Sequence, residues 1–425
     1  MATLFIFRRD LRLYDNTALI QADKNEKNII PIFLFDPYQI ENKNHSNNCV
    51  QFMIESLKDL KQQLKKYGST LHTFYGKPWT IIEKLIKKWD ITSIYFNMDY
   101  TKYSKYRDEK IRNVCDKNKI QLHIFEDLLL NNSNTILTSS NKHYEKFTPY
   151  YEKAKKVNIV KPQKRIFKNL IKKQYNGFDN WNKLYQENPK LYLHGGRTNG
   201  LKILKNIKKY SKYNSEKNYP VQDTTLLSPH NKFGTLSIRE VYHDIKGKLG
   251  SRNELLRQLY WRDFYYNIGY NEIEYYDKKV GKYAKLKWTN DQKLYKMWKD
   301  GNTGIPIVDA GMIQLKTTGW IHNRVRMVCA TMLTKIFQID WRIGEKYFQK
   351  HLIDYDITQN IMNWYWISGE VPFANPYFRI LNPVIQTKKY DDKCEYSKKW
   401  IGKECIIDEK VDISKMMKKS IQKYK

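Results

Sequence analysis

Five short runs dominate the first 130 residues: "TLFIF" (Thr3–Phe7), "IIPIFLF" (Ile29–Phe35), "TLHTFY" (Thr70–Tyr75), "SIYFN" (Ser93–Asn97) and "QLHIFE" (Gln121–Glu126). Each is continuously apolar or aromatic, the pattern of strands covered on both faces. Between them Val50, Met53, Ile54, Leu57, Leu60 and Leu64 recur at helical spacing, and so do Trp79, Ile82, Leu85, Ile86 and Trp89. Strand–helix alternation predicts an α/β domain over 1–130, a doubly wound parallel sheet with ligands at the carboxyl ends of its strands. Neither G-x-G-x-x-G nor G-x-x-x-x-G-K-[ST] occurs, so dinucleotide binding by the usual glycine turn is not supported.

Residues 131–194 are polar, rich in Asn and Lys and weakly periodic, which predicts an interdomain connector. "HGGRTNG" (His194–Gly200) marks a turn, and the helical pattern beyond it predicts an all-helical domain over 195–425. Ser251 with Glu254 reads as a capping box opening "SRNELLRQLYWRDFYYNIGY". From Trp261 to Trp400 this half holds eight of the eleven tryptophans.

With 76 basic against 44 acidic residues, the chain carries a net charge of +32 and a pI near 9.6. Such an excess repels itself and suits a polyanion, nucleic acid before anionic membrane. Codon bias toward Lys, Asn, Ile and Tyr is the bland source of the same excess. A hydrophobic content of 41% excludes disorder as the default. Cys49, Cys115, Cys329, Cys394 and Cys405 are scattered and lack CxxC spacing, which argues for a reducing compartment and against both a disulfide framework and a zinc site. The apolar run in "MATLFIFRRDLRL" is too short for a signal peptide, and no run reaches membrane-spanning length. A soluble intracellular protein is expected, with cytoplasm or nucleus left open.

Taken singly, the polar and aromatic signals of the second half have ordinary readings. Trp288, Trp341 and Trp364 each suit a core. Asp354 and Asp356, with His351 three before, recruit fewer ligands than a metal site usually does. Asn323 and Arg326 share a helix face as solvated residues do, and "TTLLSP" (Thr224–Pro229) suits an N-cap.

Taken together they form long stretches in a fixed order. These are "FRRDLRLYDNTAL" (Phe7–Leu19), "TTLLSPHNKFGTLSIREVY" (Thr224–Tyr242), "QLYWRDFYY" (Gln258–Tyr266), "GNTGIPIVDAGMIQLKTTGWIHNRVRM" (Gly301–Met327), "IDWRIGEKYF" (Ile339–Phe348), "LIDYDITQN" (Leu352–Asn360) and "PYFRILNPVIQTKKYD" (Pro376–Asp391). A chain built on these resembles the photolyase/cryptochrome flavoproteins, closest to the class I cyclobutane pyrimidine dimer DNA photolyases, up to about residue 400.

The resemblance implies roles. Tyr213 with Thr224, Thr225, Leu226, Leu227 and Ser228 matches a clamp on the FAD diphosphate. Arg262, Asn323, Arg326, Asp354, Tyr355, Asp356 and Asn360 match the shell of the cofactor, with Asn360 beside flavin N5, where a neutral amide suits one-electron cycling. Trp364, Trp341 and Trp288 match a chain of indoles from flavin to surface. Trp261, Trp366 and Met327 match the walls of a pocket for a flipped-out lesion, and Lys217, Gln258, Asn323 and Gln386 match contacts to substrate and strand. Gln258 departs from the Glu usual in class I enzymes. Tyr103 and Ser104 replace the Asn-Glu of folate-binding relatives, which leaves open whether there is an antenna chromophore and which one. The expected activity is a deoxyribodipyrimidine photo-lyase, a carbon–carbon lyase splitting cyclobutane dimers in ultraviolet-damaged DNA, acting as a monomer with FAD and no metal or membrane. A cryptochrome-like blue-light photoreceptor and a (6-4) photolyase are the alternatives.

Overall fold

The five runs form the strands β1 (Ala2–Phe7), β2 (Ile29–Phe35), β3 (His72–Tyr75), β4 (Ile91–Asn97) and β5 (Gln121–Phe125). The computed structural model describes residues 1–41, 45–278, 280–371, 379–402 and 405–424. Every strand pair is parallel and the order is β3-β2-β1-β4-β5, with Phe5 beside Pro31 on one side and Tyr95 on the other. Four helices cross over the sheet: α1 (Thr17–Asn25), α2 (Asn47–Lys65), α3 (Pro78–Trp89) and α4 (Lys102–Lys117). Asn16, Ser46 and Thr101 cap α1, α2 and α4 with side-chain oxygens.

Alternation along a strand sends neighbours to opposite faces. Leu4, Ile6, Ile30 and Ile32 pack with Ile82, Leu85 and Ile111, whereas Phe5, Phe7, Phe33 and Phe35 join Leu19, Phe52 and Leu57 in a core that continues into the second half. Both faces are therefore covered, which is why the strands read as continuous apolar runs.

Beyond Phe125 the chain carries α5 (Phe147–Ala154) and a short 3-10 turn at Trp181–Leu184. Within this stretch the Ile29 N–H donates to the Asn169 carbonyl and the Ile171 N–H donates to the Ile29 carbonyl, so part of it lies along the sheet. The principal elements of the second half are α6 (Ser228–Phe233), α7 (Glu254–Asn271), α8 (Asn323–Thr331), α9 (Trp341–His351), α10 (Ile357–Ser368), α11 (Pro383–Tyr390) and α12 (Ile413–Tyr424). None of the described helices is long and apolar enough to cross a membrane.

Two expectations are corrected. Asn253, not Ser251, caps α7, because its side chain accepts the Leu255 N–H and makes Glu254 the first helical residue rather than the third. Cys394 and Cys405 form a disulfide, since the chain turns after the helix Glu395–Ile401 and returns beside its start. The other three cysteines are free and buried.

The two halves are joined by "FRRDLRLYDNTAL". Arg12, 2% exposed, pairs with Asp127 at 2.6 Å and donates to the Gly234 carbonyl at 3.1 Å. Arg239, just after α6, reaches Asp15 and Asp127 at 2.8 Å each. Burial opposes ionisation of Asp127, but Arg12 and Arg239 outweigh it and hold the carboxyl well below its usual range. Gly234 sits at φ +58°, and a side chain there would run into the Arg9 carbonyl. Such close approach is what lets the second half insert at the end of β1.

Candidate functional site

The turn before α6 is strained in one place: Leu226 has φ +58°, a region that branched side chains avoid. Leu227 then occupies the cap position with no side-chain cap bond, leaving the first-turn N–H groups of α6 for a ligand. Ser228 Oγ donates to Asp354 at 2.6 Å, and Arg326 donates to both Asp354 oxygens at 3.2 and 2.9 Å. One buried carboxylate thus ties α6, α8 and the entrance to α10 together. The Thr224 and Thr225 hydroxyls, half-buried in the turn before α6, have no protein partner among the described residues. Hydroxyls, open N–H groups and a fixed guanidinium form a donor set that fits the diphosphate and ring edges of FAD.

Asn360, one turn into α10, donates to Glu345 Oε1 at 3.0 Å. Glu345 is fully buried, pairs with Lys278 and accepts from Tyr355 at 3.3 Å, so it fixes both the Asn360 amide and the Tyr355 phenol. Sequence reasoning missed Glu345; its only signal was an acid on the apolar face of an amphipathic helix.

Other expected cofactor residues have protein partners of their own. Asp356 caps α10 and pairs with Arg9 and Tyr266, so its carboxylate belongs to the junction of the halves. Arg262 is likewise engaged by the Leu128 and Asn231 carbonyls at 2.8 and 3.2 Å. Tyr213 is half-buried at the start of a single helical turn and shares Glu254 as a neighbour with Lys217.

The three relay candidates differ in depth. Trp364 is 2% exposed and fills space that Gly344 leaves open, and Trp341 is fully buried against Tyr365 at 4.6 Å. Trp288 is half-buried, its ring 6.5 Å from Tyr424 of α12. Its segment is bound to the approach to α9 through Thr289 N–H to the Gln338 carbonyl at 2.9 Å.

Around the opposite rim, Lys217 meets Glu254 at 3.7 Å, and Gln258 and Trp261 follow on the same side of α7. Gln258 is exposed, whereas Trp261 is held flat against Phe147 of α5, centroids 3.6 Å apart. Arg324, not anticipated from sequence, donates to Asn218 at 2.6 Å and to Gln386 of α11 at 3.5 Å. It thereby brings the Lys217 turn, the exposed Asn323 and Gln386 to one surface. Met327 lies one turn along α8 from Asn323, and Trp366 is half-buried on α10. Pro376 to Phe378 of the last matched stretch fall outside the described residues.

A family model for DNA photolyase matches residues 3–166, and a model for the FAD binding domain of DNA photolyase matches 255–423. A deoxyribodipyrimidine photo-lyase of Alkalihalophilus pseudofirmus is 34% identical, covering 93% of this chain and 86% of that one. The chain belongs to the DNA photolyase family. It is a flavoenzyme of that family, with FAD as its cofactor. An archaeal photolyase structure from Sulfolobus tokodaii, with two FAD molecules and the implication of a novel light-harvesting cofactor, is 34% identical. It superposes with a TM-score of 0.86 over 100% of this chain and 99% of that chain. A bacterial class III photolyase from Agrobacterium tumefaciens is 26% identical with a TM-score of 0.91, covering 100% and 97%.

This photolyase-family chain has a hollow beside its sheet. A cavity of about 640 Å³ opens at the carboxyl ends of β1, β2 and β4, where the strand order reverses. Tyr38 and Tyr103 stack at 4.1 Å on its wall, and Tyr103 donates to Asp36. Arg8 and Arg107 line it as well.

Proposed function

We propose that the chain repairs cyclobutane pyrimidine dimers, binding ultraviolet-damaged DNA and splitting the flipped-out lesion by light-driven electron transfer from reduced FAD. The observations that carry this reading are the Ser228–Asp354–Arg326 linkage and the Asn360–Glu345 pair. Arg326 would supply a positive charge to balance the reduced cofactor, while Asn360 would offer it a neutral amide. FAD supplies the electron; the protein binds, orients and excludes water. Phe147 holds Trp261 as a flat wall for an unstacked base, Gln258 is free to hydrogen-bond the lesion, and Lys217, Arg324 and Gln386 meet the strand.

The test is direct. Reduced protein is illuminated with blue light alongside oligonucleotides carrying either a cyclobutane dimer or a (6-4) product. Recovery of thymine absorbance in the first alone is expected. Repair of only the (6-4) lesion would move the chain to that subclass, and repair of neither, with FAD bound and reduced, would make it a photoreceptor.

The cavity at the sheet's switch point supports a second chromophore, planar and aromatic, gathered between Tyr38 and Tyr103 and the arginines. Its volume lies within the usual range for small-molecule sites. Denaturing the purified protein and separating the released chromophores checks it: FAD in clear excess over one equivalent, or a second absorbing species, is expected.

A further inference from the structure

Trp341 donates its indole Nε1–H to Glu370 Oε1 at 2.8 Å, and both residues are buried, the first fully and the second to 3% exposure. No cation among the described residues lies within ion-pair distance of Glu370. Arg342, the next residue along α9, is turned onto Asp340 at 2.8 and 2.9 Å. Lys335, near Gly369, donates to the Arg379 carbonyl at 3.1 Å. A buried carboxylate with no direct ion pair is costly to keep, and here its described side-chain donor is a relay indole.

We propose that Glu370 accepts the Nε1 proton of Trp341 when that ring gives up an electron, so that the middle step of the tryptophan relay is a coupled proton and electron transfer. The inference rests on the Trp364–Trp341–Trp288 reading. The balance is closed. With oxidised FAD as the photo-oxidant, Trp364 is oxidised first and draws an electron from Trp341. The Trp341 N–H bond breaks and an O–H bond forms on Glu370, leaving a neutral indolyl radical. An electron from Trp288 then returns with the proton to Trp341, and a thiol in solution re-reduces Trp288. Holding the proton 2.8 Å away removes the positive charge from a dry interior and slows recombination.

The arrangement sets a pH dependence. Burial pushes the Glu370 carboxyl up to about 7, against the opposing hydrogen bond from Trp341 and the nearby Arg342. The groups facing it are Trp341, Arg342 and Asp340 at the start of α9, Tyr365 of α10 and Tyr424 of α12. Above that value Glu370 is an anion able to take the proton; below it the site is already filled.

The experiment uses the full chain with FAD, labelled with ¹⁵N at its indoles. In the dark, the Nε1–H resonance of Trp341, identified by its loss in Trp341→Phe, should shift with a midpoint near 7 and stay fixed in Glu370→Gln. Under blue light with a thiol donor, photoreduction should rise about tenfold across that midpoint, the size of one charge-assisted hydrogen bond. Glu370→Gln should stay at the low-pH rate throughout. A wild-type resonance that does not titrate, or a Glu370→Gln profile identical to wild type, overturns the proposal. Photoreduction surviving in Trp341→Phe overturns the relay reading itself. Should Glu370→Gln not fold, a solvent deuterium effect on radical decay decides: present only above the midpoint it supports proton transfer, equal on both sides it refutes it.

Discussion

Arg326 is fixed at two points: Nε on the Ile321 carbonyl at 2.9 Å and Nη2 on Asp354. A single truncation at Asp354 would orphan both this guanidinium and Ser228 Oγ. Asp354→Ala should therefore destabilise the protein by about 3 kcal/mol, as breaking a buried pair does, and the purified protein should carry less FAD per chain. Thermal melts and flavin absorbance check this, and an unchanged flavin content would remove Asp354 from the cofactor shell. Gly344 makes a second residue-scale case. A methyl there would strike Trp364 and Leu333, so Gly344→Ala should displace the first indole and slow photoreduction of oxidised flavin. Stopped illumination followed at the flavin band measures it. At Gln258, exposed and without a side-chain hydrogen bond among the described residues, Gln258→Glu should raise dimer repair or leave it level, and Gln258→Ala should lower it.

Among the elements, α5 has the clearest task, because Phe147 keeps Trp261 flat and itself carries Arg257 over its ring at 5.3 Å. Phe147→Ala should weaken binding of a dimer-containing oligonucleotide by roughly two- to tenfold, the worth of one aromatic pair, with less effect on undamaged DNA. Equal losses on both would show that α5 supports the fold alone. The strands and sheet class were legible because burial on both faces writes itself into local sequence as unbroken apolar runs. The helical half was legible chiefly through its resemblance. What stayed hidden were partnerships made over long separations. Phe147 lay in a polar connector 114 residues from Trp261, Glu345 showed only as an acid on an apolar helix face, and Glu370 was a lone acid whose burial no periodicity revealed. The pairing of the Asp356 carboxylate with Arg9, 347 residues earlier, was likewise hidden. Ser251 misled because the capping-box spacing ignored Asn253, nearer to the helix start.

For the whole molecule, a net charge of +32 implies that affinity for DNA falls steeply and linearly on a logarithmic salt scale. The pH response combines two opposite signs. Burial raises Asp99 and Asp356, but Arg9 outweighs it, and with Asp127 they titrate below ordinary carboxylates. Their contribution is full above the unfolded value, about 4, and is lost as pH falls through the depressed folded values. Burial pushes Asp263 up to about 7, so its contribution is full below its unfolded value and is lost as pH rises through that figure. Asp263→Asn should flatten the decline of Tm between about pH 4 and pH 7, as read from melts across that range. The Gly234 approach and the Arg239 clasp have a consequence during synthesis. As the polypeptide leaves the ribosome, the sheet is complete at Phe125, yet Asp15 waits for Arg239 and Arg9 waits for Asp356. A nascent chain stalled near residue 200 should expose these charges and be cut readily by protease, and one stalled after both partners have emerged should resist. The amino-terminal half is thus held open until the carboxyl-terminal half arrives to close it.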